Sequence, residues 1–307
     1  MTRVRPVPAV AALTLLLVVA AAAAGCSTEP DERPHVMVTT NILGDVTSEV
    51  VGDAARVTTL MKPNADPHSF EISAREAGEL READLVVSNG LGLEEGLVQH
   101  LDRAAGAGVT SFVAGDHVDV VDYSEQAAGG APDPHFWTDP ARMLAVVDAL
   151  ERSLVEVDGI DAEAVREHAA DYRAELVDLD ESMAASFASL PEDRRRLVTN
   201  HHVFGYLAQR FDFEVVGAVV PGGTTLASPS AADLADLASA IEDAGVRTIF
   251  AESSQPDQLV QVLADEVGVD VDVVQLYTES LTADGGGAAT YLDMQRANTE
   301  RITDGLS

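Results

Sequence analysis

Residues 161–190 read DAEAVREHAADYRAELVDLDESMAASFASL, a run without glycine or proline. Val165, Ala169, Tyr172, Leu176, Leu179, Met183 and Phe187 recur in it at spacings of three or four, which predicts one long helix with a single apolar stripe. At 1.5 Å per residue such a helix reaches about 40 Å, enough to run along the whole molecule instead of crossing one sheet. It therefore divides the chain into a part before it and a part after it.

Before it, His35 to Thr40 is a valine- and threonine-rich strand leading into Asn41, after which Ile42, Val46 and Val50 keep helical spacing. Ala55 to Leu60 is a second strand, followed by a loop through Pro63 and Pro67. A helix from about Ser73 to Glu82 comes next, where Ser73 and Glu76 fit a capping box. Leu85 to Ser88 reads as a strand and Leu93 to Ala105 as a helix. After the long helix the alternation resumes: strand Arg196–Thr199, helix from about Val203 to Phe211, strand near Glu214–Val219, helix Ala231–Ala244, strand Arg247–Ala251 and the apolar strand Val271–Leu276. Alternation of this kind predicts an α/β fold with two lobes, 35–160 and 191–307, each with a mostly parallel sheet flanked by helices and joined by the helix of 161–190.

The N-terminus reads differently. Arg3 and Arg5 precede an uncharged, mostly apolar run from Ala9 to Ala24, about 16 residues long, marginal for crossing a membrane and ending in small residues. Residues 1–25 are expected to be a secretory signal peptide. Ala23, Ala24, Gly25 and Cys26 resemble a bacterial lipoprotein cleavage box, and Cys26 is the only cysteine of the 307 residues. A lone cysteine in an exported chain has no internal disulfide to make, so acylation is its expected use. Two acyl chains hold a protein stably at a bilayer surface. Residues 26–34, with Pro30 and Pro34 among acidic residues, then form a solvated tether, and the expected location is extracytoplasmic, lipid-anchored to the cell membrane.

Losing Arg3 and Arg5 takes the formal net charge from −33 to −35. A surface so acidic argues against nucleic acid as a partner.

Chemistry concentrates in a few of the eight histidines. His68 stands in Asp66-Pro67-His68, a loop after a strand, and His135 repeats the theme in Asp133-Pro134-His135-Phe136-Trp137. His201 and His202 follow the strand Arg196–Thr199, where ligands of parallel sheets tend to bind, and one of the pair is expected to face the cleft while the other packs. Glu279 follows the last apolar strand. Three imidazoles and a carboxylate make a four-ligand set suited to zinc or manganese. His35, His100, His117 and His168 lack such a setting and are expected to be structural or superficial.

MVTTNILGDVTSEVVGD, MKPNADPHSFEISAREAGELREADLVVSNGLGLE, PDPHFWTDPARM, NHHVFGYLAQRFDFE, IFAESSQPDQL and LYTESL are long, ordered segments. Through them the chain, from His35 to its C-terminus, resembles the solute-binding lipoproteins of bacterial zinc and manganese ABC importers. The resemblance implies a rigid linking helix, a metal site in the cleft between the lobes, and the ligands His68, His135, His201 and Glu279. It also implies support behind the ligands from Glu252, and an ABC permease as the partner that receives the ion. His202 stands where the family often has aspartate, and so is an alternative ligand; Glu279 stands where aspartate is usual. Zinc is favoured, manganese next, because three imidazoles suit the softer ion. The alternatives are a zinc-dependent hydrolase and a lipoprotein that binds an organic metal chelate. Four protein ligands close the shell that a hydrolase keeps open, and no HExxH or GxSxG pattern occurs.

Overall fold

The structure is a computed structural model that describes residues 31–124, 128–254 and 258–307. The expected signal peptide and Cys26 lie outside the described residues. Among the described residues no helix is long and apolar enough to cross a membrane.

Strands β1 (His35–Val38), β2 (Arg56–Thr59), β3 (Leu85–Ser88) and β4 (Thr110–Val113) form one parallel sheet in the order β2-β1-β3-β4. Helices α1 (Asn41–Val51), α2 (Ala74–Glu79) and α3 (Val98–Gly106) connect them. Two further helices, α4 (Pro140–Leu154) and α5 (Ala162–Ala188), lead to the second sheet. There β5 (Arg196–Thr199), β6 (Glu214–Ala218), β7 (Thr248–Glu252) and β8 (Asp272–Leu276) take the order β6-β5-β7-β8, again parallel, with α6 (Gly205–Phe211), α7 (Ala231–Ala244) and α8 (Gln258–Glu266) between them. The final helix is α9 (Tyr291–Leu306).

Side chains alternate across each sheet, and the alternation assigns every central strand to two cores. Val36, Val38, Leu85, Val87, Leu197 and Phe250 face one continuous apolar core that both sheets share with α1, α4, α5 and α9. Met37 and Val86 face a smaller core under α2 and α3, and Val198, Ile249 and Ala251 a second small core under α7 and α8. Strands β1, β3 and β7 are therefore buried along their full length, as central parallel strands covered on both faces must be.

The buried residues of α5 are the seven that the spacing picks out: Val165, Ala169, Tyr172, Leu176, Leu179, Met183 and Phe187. Asp161 caps its start by accepting the N–H groups of Glu163 and Ala164. Its C-terminal end packs into the second lobe, where the Phe187 ring meets Phe211 and Phe213 at 5.2 and 5.0 Å. The helix is thus embedded in the shared core.

One expected element starts late. The helix placed at Leu93 begins at Val98, because Glu94 turns back to accept the N–H groups of Asn89 and Gly90, at 2.6 and 3.1 Å, and the Thr39 hydroxyl at 2.7 Å. Leu91 has φ +55° in this turn, so the backbone enters tight turns before it can wind into a helix. Strand β4 and helices α4, α8 and α9 are additions to the elements expected from sequence.

Candidate metal centre

The loops at the C-terminal ends of β2, β4, β5 and β8 face one another across the two sheets, and each supplies one side chain. His68 follows β2, His135 follows β4, His201 lies two residues beyond β5, and Glu279 three residues beyond β8. Exposures are 2 % for His68, 0 % for His135, 0 % for His201 and 1 % for Glu279. One ligand atom from each residue lies within 4.8 Å of all the others. Glu279 Oε1 is 2.9 Å from His135 Nε2 and 3.1 Å from His201 Nε2, while Oε2 is 3.4 Å from His68 Nε2. All three imidazoles present Nε2 to one carboxylate, which is the arrangement a divalent ion needs.

The two Asp-Pro-His segments build the same local turn. Asp66 accepts the N–H of His68 at 2.8 Å, and Asp133 accepts that of His135 at 2.9 Å, with a proline between that has no N–H to compete. Asp133 Oδ1 also lies 2.7 Å from His135 Nδ1, and the Tyr123 hydroxyl 2.9 Å from the same nitrogen. A proton held on Nδ1 by Asp133 leaves Nε2 with its lone pair toward the centre. Behind His201, Glu252 stands 3.5 Å from Nδ1 and is itself held by Asn200 at 3.0 Å and by the Ser254 hydroxyl. The loop carrying Glu279 is pinned from the other lobe: Asn41 donates to Ser280 Oγ at 2.8 Å and accepts from the Leu281 N–H at 2.9 Å, and the Trp137 indole donates to the Thr278 carbonyl at 2.8 Å.

Burial and neighbouring charge work against each other here. Desolvation raises the pKa of Glu279, but the His201 charge and hydrogen bonds from His135, His201 and His68 outweigh it and hold the carboxyl well below its usual range. Burial lowers the pKa of His135, yet Asp133 and Glu279 together push it up to about 10. His201 is raised by Glu279 and Glu252 against the same desolvation. Glu252 is pushed up to about 7 by burial and by the Glu279 charge. His135 and His201 thus hold a proton more strongly than ordinary imidazoles do, beside one shared anion.

His202 stays outside the cluster. Its carbonyl accepts from the Tyr123 hydroxyl at 3.1 Å and its ring lies 6.4 Å from the Tyr123 ring, while burial and the neighbouring His201 charge lower its pKa. Other histidines serve packing: His35 Nε2 lies 2.9 Å from the Thr58 hydroxyl, His117 stacks on Phe112 at 4.9 Å, and the His168 ring fills the space beside Gly52. Tyr123, Asn200 and Asn41 carried no signal in the sequence. Asp133 did, since it repeats Asp66 at the same distance from its histidine.

The family model described as "Zinc-uptake complex component A periplasmic", ZnuA, matches residues 36–305. The chain belongs to the ZnuA family. Among ZnuA-like relatives, the zinc-binding protein TroA of Treponema pallidum is 30% identical over 314 residues, covering 100% of both chains. The manganese-binding lipoprotein MntA of Bacillus subtilis is 28% identical over 291 residues, 92% of this chain and 94% of that one. The solved structure of the periplasmic zinc-binding protein TroA superposes with a TM-score of 0.83 at 27% identity, over 90% of this chain and 99% of that chain. A manganese-bound periplasmic metal-binding protein from Candidatus Liberibacter asiaticus gives 0.80 at 25% identity, over 90% and 100%. The ZnuA fold of two parallel sheets around a long helix is thus present in this chain.

Proposed function

We propose that this protein captures a divalent transition metal outside the cytoplasm and delivers it to the permease of an ABC importer, with His68, His135, His201 and Glu279 as the four ligands. The observation that carries the reading is the convergence of these four buried side chains, one ligand atom of each within 4.8 Å of the rest. Zinc is the favoured cargo and manganese the next. Three imidazoles form the larger part of the donor set, and Glu279 can offer either one oxygen or both. The family match and the names of the relatives support transport over hydrolysis or chelate binding. Glu252 and Asp133 act through the ligands they touch, fixing ring orientation and tautomer. The ion is cargo, so retention has to be tight and yet reversible.

The same reading assigns residues 1–25 to a signal peptide and Cys26 to a lipid anchor, supported by the cleavage box and by relatives described as lipoproteins. Competitive titration of the metal-free chain with zinc and manganese tests the central claim. One zinc per chain, held more tightly than manganese and lost on His201→Ala, is the expected result. Tighter manganese binding moves the cargo to manganese, and no stoichiometric metal discards the site.

A further inference from the structure

The four proposed ligands are almost fully buried, so an ion reaches them only if something moves. The inner side of the cluster is closed by Asn41, Trp137, Ser280 and Leu281, all buried and tied across the lobes by hydrogen bonds. The other side is made of half-exposed residues: Asp66, Tyr123 and His202, together with Gly223 and Thr225 from the loop that follows β6. That loop crosses from the second lobe to the first. The Thr225 hydroxyl donates to Asp66 Oδ2 at 2.6 Å and the Thr224 hydroxyl to Glu95 Oε1 at 3.0 Å. Gly223 lies so close to Tyr123 that an added Cβ would stand 2.2 Å from the ring. Two of the three residues it rests on, Asp66 and Tyr123, are bonded to His68 and His135.

Behind the loop, on its own lobe, the packing is hollow. A pocket of about 230 Å³, open to solvent on one side, is lined by Val219, Thr225, Ala227 and Val260 together with the polar Asn200 and Gln258, among others. Leu226, between two of those lining residues, is not itself part of the lining and is 55% exposed. At about 230 Å³ and with a mainly apolar lining, this pocket has room for an isobutyl group. Gly222, at φ +88°, lies at the start of the loop and gives it a pivot.

We infer that residues 220–227 are the gate for the metal, held shut by the bonds of Thr224 and Thr225 to the first lobe and opened when Leu226 drops into the pocket of the second. This rests on the reading of the four residues as the metal site. Closed, the loop makes two hydrogen bonds to carboxylates; open, it gives these up to water and buries one leucine. These contributions are of similar size, so both positions are accessible and the metal tips the balance by drawing the ligand loops together.

The test is the rate at which zinc passes from the loaded full-length chain, in detergent, to a chromogenic chelator in a stopped-flow mixer, beside the zinc stoichiometry at equilibrium. Thr225→Val unties the closed loop and is expected to speed release about tenfold. Leu226→Ala leaves the hydrogen bonds of the closed loop to Asp66 and Glu95 in place and is expected to slow release about tenfold, by removing what stabilises the open one. Opposite signs in these two variants support the gate, since general loosening of the loop would accelerate both. If every variant holds one zinc and releases it at the parental rate, or both accelerate, the gate is wrong and the metal site stands. If the parent holds no zinc, the site itself falls and the gate with it.

Discussion

His135 carries the sharpest conflict in the molecule. It is fully buried, which favours the neutral ring, yet Asp133 on one nitrogen and Glu279 near the other push its pKa up to about 10. A raised folded value means the protonated form stabilises the metal-free chain fully below the ordinary histidine value of about 6.5, and that this contribution fades as pH rises through about 10. With His135 as a ligand, as proposed, zinc needs the same Nε2 deprotonated, so zinc and proton compete across that window. Calorimetric titration at pH 7 in buffers of different ionisation enthalpy is expected to reveal at least one proton released per zinc bound, with affinity rising as pH rises. A binding enthalpy independent of the buffer would contradict the assignment of His135. The ordinary histidine value alone would confine this dependence to acid pH; the Asp133 contact extends it upward.

Among the elements, α5 was the most legible, because a helix buried along one stripe displays its period in sequence and needs no partner to be recognised. Truncating Leu176, which is fully buried midway along it, is expected to cost about 2–5 kcal/mol in denaturant unfolding. Val177, one position on and 43% exposed, is expected to tolerate alanine at under about 0.5 kcal/mol. Strand tops were legible for a related reason: short apolar runs ending at a polar loop locate the place where a parallel sheet presents its ligands. The late start of α3 was not, since it depends on Glu94 reaching Thr39, a residue on a different element. Likewise Tyr123 and Asn41 act through partners more than ten residues away, and no local pattern registers that. The choice between His201 and His202, left open by the residues alone, turns on which ring faces inward. Adjacent residues near a strand end point to opposite sides, and here His201 is the one inside.

The two lobes do not own separate interiors. One apolar core runs from Val36 in β1 through the stripe of α5 to Phe250 in β7 and Leu276 in β8. Flexibly hinged binding proteins move their lobes about a narrow connection; this continuity restricts rigid-body closure to small displacements and leaves larger movement to loops. Unfolding followed by intrinsic fluorescence, from Trp137 near the site, and by far-ultraviolet circular dichroism is expected to give coincident transitions. Saturating zinc is expected to move both together to higher temperature, as a ligand bound only to the native state does. Two resolved steps would show that the lobes melt separately.

The last helix bears on the order in which the molecule can be completed. Tyr291, at its start, donates its backbone N–H to Asp45 of α1 at 2.7 Å, and its hydroxyl and the Gln295 amide both reach the carbonyl of Trp137 at 2.7 Å. The loop bearing His135 is therefore braced by residues synthesised more than 150 positions later. A chain emerging N-terminus first lacks this brace until its final segment has arrived, and contacts of such sequence separation form slowly. The geometry of the proposed metal centre is a product of the finished polypeptide, so a nascent chain carries the histidines without the means to hold them in place.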